Sequence, residues 1–409
     1  MKLHRFPALR PRPELAGQVM TPPYDVVSTA EAREHAAGNA RSFFHVIRPE
    51  IDLGDEVDIH APEVYAQGAK ALGGLVADGT LVAEPEPILF IYRLTQGEHV
   101  QTGFVGRAAV ADYRSGKVKR HELTRPAKEE DRLNLMLACE AHTGPVLLAC
   151  RGNDGLSGIV SRVTAKAPEV SARAKDGVLH EVWPLRGDDL AATEAAFEQV
   201  AAFYIADGHH RAASGARVGE KLHAERGEGL WDGLLAVVFP DDELRILDYN
   251  RVVKDLNGLS PDEFLAAVAE NFVVGPFDGP SRPTGRHRFA MYLDGQWREL
   301  TARLGLVDDA DPIASLDVSI LQDHLLGPIL GITDPRTDER IDFVGGSRGT
   351  DALAKRVDAQ GGGVAFAMWP TSLGELFAMA DDDKIMPPKS TWFEPKLASG
   401  LFVNSWRRG

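Results

Sequence analysis

The stretch FYIADGHHRAA, residues 203–213, gathers an acid, two imidazoles and a guanidinium into the turn Asp207-Gly208-His209-His210-Arg211. Those side chains suit phosphate chemistry, because imidazole and guanidinium N–H groups donate to phosphate oxygens and the guanidinium does so bidentately. FYIA reads as a buried strand. Ala212, Ala213, Ser214 and Gly215 read as a helix with a narrow face that packs close to its neighbours. A strand ending at Asp207-Gly208 and a helix opening near His210 leave unbonded backbone N–H groups and a positive dipole end, which is a natural anion site. Gly208 is expected to take an unusual φ or to let a ligand approach the backbone. The structural alternative has Asp207 capping the helix while His209 and His210 hydrogen-bond inside the fold. Joint metal ligation by the two histidines is disfavoured, since adjacent helical residues diverge.

A second dense segment, HELTRPAKEEDRLNLMLACEAH, spans 121–142. Pro126 suits a first helical turn, with Thr124 or Arg125 preceding it as the cap. Glu129, Glu130 and Asp131 fall early in that helix, where the dipole favours acids. Leu133, Met136, Leu137 and Glu140 continue as a mostly apolar face, and the same stripe carried backwards reaches Glu129 and Arg132. Charges placed there are costly unless they are paired or meet a ligand. One reading is a polar pocket floor with His121 and Glu122 on the approaching loop; the plainer one is a solvated helix start with internal Glu–Arg pairs. Two proline-stiffened segments add polar groups on rigid backbone. They are TPPYDVVS (21–28), with Tyr24 and Asp25, and MPPKSTWFEPKLASGL (386–401), with Lys389, Ser390, Thr391 and Lys396.

Strand-like and helix-like runs alternate along most of the chain, which predicts an α/β or α+β fold with mixed sheets and packed helices. ILFIYRL (88–94) and TGFVGRAAV (102–110) predict a hairpin, GPVLLAC (144–150) a buried strand, and GDDLAATEAAFEQVA (187–201) a helix. GLLAVVFP (233–240) and LRILDYNRVV (244–253) predict another strand pair. HRFAMYLDGQWREL predicts a hairpin turning at Asp294-Gly295, and the spacings Ser260–Glu263 and Ser372–Glu375 predict capping boxes. PFDGPSRPTGR (276–286) is the clearest loop. A domain boundary near 220 is expected, with residues 1–220 holding both charged clusters and residues 221–409 forming a C-terminal α/β domain that carries the PKSTWFEPK loop.

The formal charge of −15 over 409 residues argues against a non-specific nucleic-acid footprint, so an anionic ligand must find a local basic pocket. Two cysteines exclude a disulfide framework or a cysteine zinc site. The basic start MKLHRFPALRPRPELAG has no apolar core of a secretory signal, and apolar runs are strand-length. A cytoplasmic protein without nucleic-acid or membrane partners is expected; the oligomeric state stays open, a homodimer included.

The ordered motifs PPYDV, HExTRxxKExDR, DGHHR and PKSTxFxPK resemble a large prokaryotic family labelled as a domain of unknown function, from about Thr21 to Val403. The DGHHR box also resembles the phosphate box of the ParB-like fold, which includes sulfiredoxins, the nucleotidase domain of chromosome-partitioning proteins and free-serine kinases. That resemblance implies a ParB-like nucleotide-binding core. It also implies transfer of a phosphoryl group from a nucleoside di- or triphosphate (ATP, ADP or CTP) to a small hydroxy acceptor, free L-serine first. In ParB-like kinases a glutamate upstream of the box is the general base, which implies Glu122 here, with Glu129 second and His210 also catalytic. Asp207, Gly208, His209, His210 and Arg211 would hold phosphates. Mg²⁺ would bridge these to Asp207 or Glu129, and His121, Thr124, Arg125, Arg132, Lys389, Ser390 and Thr391 would bind the acceptor. The chain departs from the smaller fold by its length, the long insertion between clusters and an extra C-terminal half. A Walker loop and the protein-kinase catalytic signature are both missing. The rival functions are a non-catalytic nucleotide-binding switch, a metal-dependent phosphohydrolase, and a scaffold whose polar clusters only stabilise packing.

Overall fold

The computed structural model describes residues 1–277, 282–308 and 310–407; residues 278–281 of the expected loop lie outside them. The chain forms two compact units, Met1–Leu244 with Pro395–Gly409, and Arg245–Glu394. The division therefore falls near 244 and not near 220, which lies inside the helix His209–Arg226. The tail from Pro395 returns to the first unit, a long-range closure that no local composition shift marks.

The first unit is built on a mixed sheet of nine strands. In chain order these are β1 (Leu3–His4), β2 (Leu89–Gln96), β3 (His99–Ala109), β4 (Val118–Lys119), β5 (Val146–Cys150), β6 (Val170–Arg173), β7 (Leu179–Leu185), β8 (Phe203–Asp207) and β9 (Gly233–Pro240). They lie side by side as β4-β8-β5-β9-β3-β2-β7-β6, with β1 on β3. The expected hairpin of β2 and β3 is present, pairing Phe90 with Val105 through Gln96 with His99. Every residue of β5 and β9 is buried, as expected for apolar runs enclosed within a sheet. β9 pairs with β3 and β5, and not with the following run as the sequence predicts. That run, Tyr249–Val253, belongs to the other unit's sheet, so the unit boundary separates two strands that proximity in sequence had joined.

Helices flank this sheet, among them α1 (Pro62–Ala77), α2 (Pro126–Cys139), α3 (Asp154–Thr164), α4 (Gly187–Glu198) and α5 (His209–Arg226). Pro126 opens α2 with Arg125 as its N-cap, and Glu140, at φ 50, ends it in the left-handed region. Leu133 and Met136 of α2 pack with Val218 and Leu222 of α5 and with Trp406 from the tail. The small residues of α5 serve the close approach expected of them: a Cβ on Gly215 would stand 2.7 Å from Leu234 of β9.

The second unit contains a six-stranded sheet. The hairpin Arg288–Leu293 with Gln296–Ala302 turns at Asp294 and Gly295, both at positive φ, as the two-residue loop requires. Both predicted capping boxes, Ser260–Glu263 and Ser372–Glu375, are made. Among the described residues no helix is long and apolar enough to cross a membrane.

Candidate functional site

Two parallel neighbours position the site. β4 and β8 pair in the same direction, Phe203 with Val118 and Tyr204 with Lys119, so both chains leave the sheet at one end. Three residues beyond the last pair they carry Glu122 on one segment and Asp207 on the other. Ligand sites form where strand ends of an α/β sheet open in this way. The pairing of β8 with β5 shifts register between Ile205 and Asp207, an irregularity that re-aims Asp207.

Gly208 then takes φ 93 and ψ 34, and α5 starts at His209 with no side-chain cap. The two histidines diverge, as helical neighbours must. His209 is buried, its ring edge-on to that of buried His121 at 4.5 Å between centroids. Its Nδ1 lies 3.8 Å from Oε2 of half-exposed Glu122. His210 faces the other segment, and its Nε2 accepts a 3.0 Å hydrogen bond from the Arg125 backbone N–H. Burial pushes His121 down to about 4, against a hydrogen bond with the Ile205 backbone that raises it. Burial, helped by the neighbouring His121, puts His209 well below its ordinary value. Burial also lowers His210, with Asp25 and Glu129 opposing and Lys128 and Arg125 assisting. Both buried imidazoles are neutral near pH 7.

Asp207 and Arg211 lock the turn. Asp207 Oδ2 accepts from Arg211 Nη2 at 2.6 Å, and its Oδ1 accepts from Lys396 Nζ at 2.9 Å. Burial alone would raise the Asp207 pKa, but the Lys396 and Arg211 charges outweigh it and hold the carboxyl below its usual range. Arg211 is itself buried and gives its Nη1 to the Pro145 carbonyl. Its pKa is raised, burial being outweighed by Asp25 and Asp207. Glu129 accepts from the Thr124 hydroxyl and lies 3.6 Å from Arg217 Nη1 of α5. Ser214 of α5 donates to the Glu129 carbonyl at 2.9 Å, fastening the two helices beside the turn.

The PPYD segment and the tail complete the assembly. Thr21 and Ser399 exchange backbone hydrogen bonds of 3.1 and 2.9 Å. Tyr24 lies under the Arg132 guanidinium, 4.0 Å from the ring centroid, and burial together with Asp25 pushes its hydroxyl up to about 12. Tyr24, Arg132, Thr143, Arg211 and Ser399 line a small hollow. The four segments marked in the sequence thus contribute Tyr24, His121–Arg132, Asp207–Arg211 and Lys396 to one locality of the first unit.

The chain matches the family described as "Protein of unknown function (DUF1015)" over residues 3–319. It belongs to that DUF1015 family. A comparison with curated proteins finds no match. Among solved structures, it is similar to a conserved hypothetical protein from Pyrococcus furiosus at 15% identity and TM-score 0.34, covering 73% of this chain and 95% of that one. A free serine kinase variant in complex with ADP gives 15% identity and TM-score 0.34, covering 74% of this chain and 94% of that one. SbnI from Staphylococcus aureus with a C-terminal truncation gives 11% identity and TM-score 0.40, covering 73% and 86%. Likenesses this weak transfer neither a fold nor an activity to this DUF1015 member.

Three residues of the PKST loop lie in the second unit. Lys389, at φ 58, places its ammonium 5.4 Å from the Tyr249 ring centroid, and its carbonyl accepts from Arg251. The Ser390 hydroxyl donates to the Pro387 carbonyl at 2.6 Å, and the Ser390 carbonyl accepts from Thr371; Thr391 is half-buried. Arg132 is inward-facing as expected, its side chain 11% exposed, but the buried acid of α2 is Asp131, at 9%, and not the expected Glu129, at 19%. Asp131 accepts from Tyr65, at 3.2 Å, and Arg132, at 2.6 Å, and lies 3.1 Å from His60 Nδ1. Lys396 was visible as a cation on stiff backbone, but its partner is 189 residues away in sequence.

The carboxylates assigned to Mg²⁺ do not suit it. Asp207 has a cation on each oxygen, and Glu129 is held by Thr124 and Arg217. A hard divalent ion needs open carboxylate oxygens.

Proposed function

We propose that this protein transfers a phosphoryl group from a nucleotide to a small hydroxy acceptor, with L-serine the first candidate. Phosphoryl transfer needs placement and charge neutralisation more than covalent chemistry. The uncapped start of α5 at Gly208–His210 supplies backbone N–H groups and the helix dipole. The field around the two histidines includes the cations Arg120, Arg125 and Lys128 beside the acids Asp25, Glu129 and Asp207, so cations that could meet an anionic ligand stand near the helix start. Arg211 acts on this reading as a brace for the turn, because Asp207 and Pro145 hold its two terminal nitrogens.

The observation that carries the reading is the position of Glu122, half-exposed and 3.8 Å from His209 at the helix start. A carboxylate beside an anion-binding end can accept the proton of a hydroxyl as its oxygen attacks the terminal phosphorus. The nucleotide then leaves shortened by one phosphate, and the acceptor gains a phosphoester. General bases of this kind contribute about 10²- to 10⁴-fold.

The test is transfer by the purified full chain, supplied with ATP, ADP or CTP and L-serine, with phosphoserine detected by mass. Glu122→Gln is expected to lower turnover by at least about a hundredfold while nucleotide affinity stays nearly unchanged. Full turnover by that variant removes Glu122 from the chemistry. Failure of every nucleotide to raise the melting temperature removes the nucleotide site itself.

A further inference from the structure

We propose that His121, Glu122 and His209 form a binding site for one divalent transition-metal ion. One ligand atom from each residue lies within 4.8 Å of the others. Two imidazoles and one carboxylate are a donor set that divalent first-row metals favour. The spacing also points to an ion. Glu122 Oε2 and His209 Nδ1 are 3.8 Å apart, too far for a hydrogen bond and close to the separation of two donors that share an ion at about 2.1 Å each.

The fold explains why these residues meet. His121 and Glu122 follow β4, His209 follows β8, and the parallel pairing of those strands brings both exits together. The edge-on contact of the two rings lets each aim a nitrogen toward a common point. The adjacent His210 faces Arg125 and takes no part. Three protein donors leave coordination positions for water or a ligand oxygen, as in catalytic and not in closed structural sites. Imidazole donors select zinc, cobalt or a similar ion over magnesium, which prefers oxygen.

The inference does not depend on phosphoryl transfer, since the ion is bound by the protein alone. If both hold, the ion and the acceptor proton compete for Glu122, so that a filled site is a resting form of the transferase.

The experiment titrates the chelator-stripped full chain with ZnCl₂ by calorimetry and with CoCl₂ by visible absorption, without nucleotide. One ion per chain is expected, with a cobalt spectrum of nitrogen and oxygen ligation, and excess Mg²⁺ should not displace it. Removing buried His121 or His209 endangers the fold, so the variant is half-exposed Glu122→Gln, which should weaken binding by at least about tenfold. His210→Ala is the control for binding by surface histidines and should leave affinity intact. No stoichiometric binding, or equal affinity in Glu122→Gln, overturns the proposal. A loss confined to His210→Ala also overturns it.

Discussion

Replacing Lys396 by Met tests whether the returning tail holds the candidate site together. Lys396 Nζ is 2.9 Å from Asp207 Oδ1, and the two side chains are 15% and 26% exposed. Breaking a fully buried ion pair costs about 3–5 kcal/mol, and breaking an exposed one about 0–1. This pair lies between those limits, and Asp207 keeps Arg211 at 2.6 Å. Methionine preserves most of the aliphatic volume, so the loss is chiefly the charged hydrogen bond, worth about 2 kcal/mol. Global unfolding mixes the two units, so the readout is hydrogen exchange of peptides covering 203–214, with peptides of the second unit's hairpin, 288–302, as reference. A local loss of about 2 kcal/mol speeds exchange by roughly thirtyfold where opening is pre-equilibrated. Asp207→Asn should cost more, because it removes the carboxylate that both Lys396 and Arg211 use. The double variant should be less damaged than the sum of the singles, by about 1 kcal/mol or more. Unchanged protection of 203–214 in Lys396→Met, with the reference also unchanged, refutes the claim that the tail braces the turn.

Gly208→Ala should destabilise the first unit by about 1–2 kcal/mol, since φ 93 is costly for an L side chain. The added Cβ would also stand 2.9 Å from Arg211 Nε, and Arg211 is pinned; thermal unfolding checks the loss. In the second unit, burial pushes Asp317 up to about 7, with Glu375 adding to the shift and Arg286 and the His287 backbone N–H opposing it. The folded state thus keeps a proton that the unfolded chain releases above pH 3.8, so stability falls as pH rises from about 4 to about 7 and then levels. Asp317→Asn should therefore be more stable than the parent at pH 8, by up to roughly 4 kcal/mol, and lose that advantage near pH 4. An advantage of equal size at both pH values contradicts the buried-acid account.

The strand-turn-helix form of the DGHHR box was legible because its determinants are local: an apolar run, one glycine and a small-residue helix. Pro126 and the two capping boxes were legible for the same reason. What escaped is what distance in sequence hides. Val118–Lys119 is a two-residue strand without a periodic signal, yet its pairing with Phe203 and Tyr204 brings His121 and Glu122 to His209. Asp131 became the buried acid of α2 because Tyr65 and His60 come to it from elsewhere, and helical periodicity alone favoured Glu129. The run 244–253 looked like the partner of 233–240 because only a short link separates them, although a unit boundary falls there.

The interrupted first unit bears on synthesis. Lys396 and the strand Asn404–Ser405, which pairs with Ala141–His142, leave the ribosome only after the 150 residues of Arg245–Glu394. A nascent chain halted inside that insertion can complete its sheet from β1 to β9, but Asp207 lacks one of its two cations. Full bracing of that turn by both cations thereby waits for the finished polypeptide.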